Sequence, residues 1–73
     1  MKVILTVPKT SSLKWRVAAY TFIAEMWRDA ESISIALGDE VILSIGSLSC
    51  SGSVTDDIVR NVDALVERQN IGY

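Results

Sequence analysis

The chain has no histidine, one cysteine, one proline and four glycines among its 73 residues. Each shortage removes a class of chemistry. Without histidine, the usual Ser-His and Cys-His nucleophile–base pairs cannot form. A single cysteine cannot close an internal disulfide. With scattered carboxylates it is also too poor a ligand set for structural zinc. No loop has the acidic spacing of a calcium site. Neither a metal nor a cofactor is expected, and no catalytic residue stands out. Apolar runs are only a few residues long, far below the ~20 that cross a bilayer. The opening MKVILTVPKTSS is too short in its apolar stretch for a secretory signal, and Pro8 cuts it off. The lone thiol fits a reducing compartment, so the cytoplasm is the expected location.

Basic charge is scarce as well. Seven lysines and arginines face nine acids, for a net charge of −2. The broad basic footprint of a general nucleic-acid binder is missing. The charge is uneven: residues 1–30 hold five cationic side chains and two carboxylates, and residues 31–73 hold two and seven. Such halves attract each other, within one fold or between subunits.

What is plentiful is apolar content, at 49% of the chain. A domain this small has little interior, and its core rarely yields more than ~3–5 kcal/mol of net stability. With no disulfide or metal to add, good packing or self-association must make up the difference. A homodimer is expected.

The pattern predicts a single small α+β domain over 1–73, in the order βαββα. KVILTV gives a strand over 2–7, apolar at Ile4 as well as at Val3, Leu5 and Val7, which suits a strand buried on both sides or placed centrally. Pro8 ends it. Thr10, Ser11 and Ser12 are N-cap candidates for a helix over 12–30. In that helix Trp15, Ala19, Phe22, Ile23, Met26 and Ala30 form an apolar stripe, and Lys14, Thr21, Glu25 and Arg28 a polar one. SISIAL and VILSIG around Gly38-Asp39-Glu40 read as a hairpin over 32–46. A three-residue loop pairs Leu37 with Val41, Ile35 with Leu43 and Ile33 with Ile45, which puts all six on one face. Ser32, Ser34, Ala36, Ile42 and Ser44 share the other. Residues 47–50 extend the third strand or add a short one after a bulge at Gly46. Val54, Ile58, Val59, Val62, Leu65 and Val66 define a second helix over 54–69, with Ser53 and Asp56 spaced as a capping box. The expected sheet is three-stranded and largely antiparallel, with both helices on one face and IGY as a tail.

The segment GSLSCSGSVTDD, residues 46–57, is the one stretch with the look of a reactive loop. A thiolate phosphate loop needs arginine six positions after its cysteine, and six after Cys50 stands Asp56. A P-loop needs a lysine and fixed glycines that are absent here. A nucleophile elbow needs glycine where Leu48 stands. The segment therefore reads as a connector and helix cap, with Cys50 a small apolar residue. The acidic pairs Asp39-Glu40 and Asp56-Asp57 read as a turn and a helix start.

Two surface features remain. Leu13, Tyr20 and Trp27, spaced by sevens and joined by Arg16, form an extra line on the first helix. Tyr, Trp and Arg dominate interface energies. If the second helix leaves that line open, it is a partner-binding surface. The expected function is that of a non-enzymatic accessory, adaptor or inhibitor protein. A regulator of this size suits a virus or mobile element that blocks a host protein. The alternative is a nucleic-acid-binding regulator in which Lys9, Lys14 and Arg16 meet phosphates around Trp15.

Overall fold

A computed structural model describes residues 1–50 and 52–71 of the chain. Ser51 in the connector and the tail residues Gly72 and Tyr73 lie outside the described residues. The elements are β1 (Lys2–Pro8), α1 (Leu13–Met26), β2 (Ser32–Gly38), β3 (Ile42–Ile45), β4 (Leu48–Ser49) and α2 (Gly52–Ile71). They make a small α+β domain with a mixed four-stranded sheet in the spatial order β2-β1-β3-β4. The shortest extent, 20 Å against 39 and 27 Å, is that of one helix layer on one sheet layer.

The expected three-stranded, largely antiparallel sheet is corrected in two ways. β2 and β3 do not pair as a hairpin; β1 lies between them, parallel to β2 and antiparallel to β3. The reason is the burial demand of β1. Val3, Leu5 and Val7 are fully buried, and only a central strand gains neighbours on both sides. Helix α1 returns the chain so that β2 can run parallel to β1, as a crossover requires. Residues 39–41 then step across the end of β1 at Pro8. Two strand spacings are about 9–10 Å, within reach of so short a segment. The second correction is the strand count: residues 47–50 take the second of their two expected readings and add a short strand, β4, which pairs Leu48 with Ile45 and Ser49 with Ser44. Gly46, at φ +63°, starts the turn between β3 and β4, a conformation that costs little only for glycine.

The expected faces hold even though the expected partners do not. Ile35, Leu5 and Leu43 lie in one row across three strands, and Ile33, Val3 and Ile45 in the next. This side carries both helices. Its core joins Val3, Leu5, Val7 and Leu43 to Ala18, Ala19 and Ile23 of α1 and to Ile58 and Val62 of α2. Neither described helix covers the opposite side of the sheet. It shows Lys2, Ser32 and Ser34, with Ile4 and Ile42 more than a third exposed.

Ser12 is the cap of α1. Its hydroxyl accepts from the Trp15 N–H at 3.1 Å. The helix ends at Met26, four residues short of the expected end. Trp27 leaves helical geometry at φ −118°, ψ 63°, while its N–H still reaches the Ile23 carbonyl. Met26, expected on the core stripe, is about half exposed at this end. Helix α2 begins at Gly52, so Ser53 lies in its first turn. Of the α2 stripe, Ile58 and Val62 are buried, Val59, Leu65 and Val66 partly so, and Val54 is exposed.

A side-chain hydrogen bond joins the two helices. The Trp15 Nε1–H donates to Asp63 Oδ1 at 2.6 Å. Asp63→Ala is expected to lower stability by about 1 kcal/mol, the usual net worth of such a bond. Asp63→Asn, which keeps the acceptor, recovers most of it. Urea midpoints check both, and an unchanged midpoint for Asp63→Ala contradicts the assignment.

Candidate protein-binding surfaces

The outer side of α1 holds the first surface. Leu13 is 69% exposed, Val17 57% and Tyr20 47%, at spacing i, i+4, i+7. Residues so spaced share one helix face. Leu13 and Val17 also border a cleft of about 440 Å³ between α1 and α2. Ala18 and Leu65 add to its apolar floor, and Lys14, Glu25 and Gln69 are among its polar lining.

The expected Leu13–Arg16–Tyr20–Trp27 line is thus divided. Leu13 and Tyr20 are exposed together. Trp27 is turned inward and packs against the core. Spacing by sevens assumes a helix through residue 27, and the chain leaves the helix there. Arg16 is only partly exposed and does not line the cleft. Its Nε is buried and has no hydrogen-bond partner among the described residues. Val17 and Leu65 were not expected in a site. The i, i+4 step from Leu13 to Val17 is the sequence signal for the first. The second carries none, because which side of α2 stays open depends on how it lies against α1.

The candidate nucleic-acid residues do not form one patch. Lys9 lies in the turn after β1, Lys14 borders the α1–α2 cleft, and Arg16 is largely buried on another side of α1. Trp15, between them, packs against the core and holds Asp63.

The second surface is the sheet itself. Strand β2 is an edge with β1 as its only strand neighbour. Leu37, on the helix side, is 50% exposed, and Ile33 and Ile35 are partly covered. Among the described residues no strand lies beyond β2 on that edge.

Two hydroxyls of the connector before α1 are engaged with the backbone, and Cys50 is partly buried. The Ser11 hydroxyl donates to the Pro8 carbonyl at 2.8 Å, and Ser12 caps α1. Cys50 packs against the core, and its N–H reaches the Leu43 carbonyl at 2.8 Å. Among the described residues no cluster of His, Cys, Asp and Glu has the arrangement of a metal site. No described helix is long and apolar enough to cross a membrane. No protein-family model matches the chain, and no curated protein matches it.

Proposed function

We propose that the protein is a non-enzymatic protein-binding module, a small accessory or inhibitor protein. It takes an apolar segment of its partner along the Leu13–Val17–Tyr20 side of α1 and the adjoining cleft. The observation that carries the reading is the high exposure of these three residues in one line. Isolated exposed apolar side chains are ordinary, but contiguous ones beside a cleft mark association sites. An apolar floor with a polar rim of Lys14, Glu25 and Gln69 suits a docked amphipathic segment. The engagement of Ser11, Ser12 and Cys50 in structural contacts supports the non-enzymatic part.

The nucleic-acid alternative has less support, because Lys9, Lys14 and Arg16 are dispersed and the Trp15 ring is occupied. Steep loss of binding with salt is its signature.

The test is capture from the native source with tagged wild-type protein and with a Leu13→Glu/Val17→Glu variant. Both positions are more than half exposed, so the variant is expected to fold with an unchanged melting curve. The wild-type chain is expected to retain a protein that the variant loses. Equal retention by both chains, or retention of nothing by the wild type, overturns the reading.

A further inference from the structure

We propose that two copies of this chain join through β2, edge to edge and antiparallel, so that two four-stranded sheets become one. The inference rests on reading the chain as an association module, and it gives the sheet edge an occupant of its own: a second copy.

Sheet edges expose unpaired N–H and C=O groups, and natural proteins blunt them with short strands, charges, prolines or bulges. The edge at β4 is only two residues long. The edge at β2 is seven residues long, and SISIALG contains no charge and no proline. Its register with β1 runs without interruption from Ser32 to Gly38, so it has no bulge. It has none of these four protections.

The residue pattern says what the edge pairs with. SISIALG is chemically palindromic about Ile35. In an antiparallel pair centred there, Ile35 meets its own copy and Ile33 meets the second copy's Leu37. Ser34 meets the second copy's Ala36, and Ser32 its Gly38. Directly opposed residues point to the same face. All apolar pairs therefore fall on the helix side, where Ile33, Ile35 and Leu37 are left partly or half exposed in one copy. All small pairs fall on the open side. A slip of one residue sets Ile35 against Ala36 and turns one copy's helices to the wrong face. A two-fold axis through Ile35 satisfies every position of the strand, as an isologous interface requires. An unrelated strand has no reason to match that symmetry.

Charge opposes the pairing only at its two ends. The end of β2 carries Asp39 and Glu40, with Lys9 nearby through its N–H to the Gly38 carbonyl. It meets the other copy's strand start, where Lys2 and Arg28 balance Asp29 and Glu31. Two like-signed facing pairs result, Glu31 of each copy with Asp39 of the other. Glu31 is already 3.5 Å from the Met1 amine.

Sedimentation equilibrium tests the proposal with the wild-type chain and Ser34→Lys. Ser34 is exposed on the open face, so the lysine is compatible with the fold and blunts the edge. The wild type is expected to be dimeric, and Ser34→Lys to dissociate at least about tenfold more readily. Cross-linking tests the register in a Cys50→Ser background. Chains with Ser34→Cys mixed with chains with Ala36→Cys are expected to form disulfides preferentially with each other. A monomeric wild type, equal dimerisation by Ser34→Lys, or no preference for mixed cross-links overturns the proposal. Partner capture through α1 does not depend on Ser34, so loss of the dimer with capture intact leaves the proposed function standing.

Discussion

Replacing Leu5 by alanine is expected to leave the chain without a cooperative native state at room temperature. Leu5 is fully buried at the centre of the sheet, between Ile35 on one side and Leu43 on the other. Ala18, Ala19 and Ile23 of α1 and Ile58 and Val62 of α2 complete the same cluster. Few backbone shifts can close a hole in the middle of a sheet between two neighbours. Leucine-to-alanine changes at such sites cost about 2–5 kcal/mol. A single domain of this size has about 3–5 kcal/mol to lose. Circular dichroism during urea titration reads the outcome. Ile4→Thr, one position away on the uncovered face, is the control and costs about 1 kcal/mol or less. A Leu5→Ala chain with a native spectrum and a midpoint near that of the wild type contradicts this description of the core.

The second large effect is expected at Gly38. A Cβ built there comes within 2.6 Å of Thr6 Cγ2, closer than carbon atoms approach. Thr6 lies in register between Ala36 of β2 and Ile42 of β3, and its β-branched side chain has little rotamer freedom. Gly38 also faces Pro8 at the point where the chain leaves β2 to cross the end of β1. Gly38→Ala is expected to cost about 1–3 kcal/mol, as overpacked sites do. Thr6→Ser removes the clashing methyl, so adding it to Gly38→Ala is expected to restore most of the loss. The two substitutions then show a strong coupling in a double-mutant cycle. Additive effects, or a harmless Gly38→Ala, contradict the close approach of these strands.

Much of this architecture is legible in the residues. Period-two alternation in SISIALG and VILSIG assigns each side chain to a face, because the face depends only on odd or even position. The same alternation says nothing about which strand lies alongside. Ile35 and Leu43 do share a row, but Leu5 stands between them. The apolar residue at Ile4 points to the central placement of β1, yet not to burial on both sides. Ile4 is 37% exposed, because both helices pack on the other face. The end of α1 was harder to read. Trp27, Arg28 and Asp29 continue a helical pattern, and only the turn needed to enter β2 breaks it. That break takes Trp27 out of the surface line and packs it, partly buried, against the core. It shortens the aromatic line and leaves Leu13, Val17 and Tyr20 as the exposed set. No local signal gives the open edge of β2 either, since edge status follows from sheet order, which is a property of the whole chain.

Calorimetric titration of the captured and purified partner bears most directly on the account. The partner is titrated into the wild-type chain and into Leu13→Glu/Val17→Glu. The predicted result is binding to the wild type with a negative heat-capacity change, the mark of apolar burial, and a loss of about 100-fold or more in the variant. Equal affinity for both chains, or binding with no change in heat capacity, contradicts the claim that the exposed side of α1 is where this protein acts.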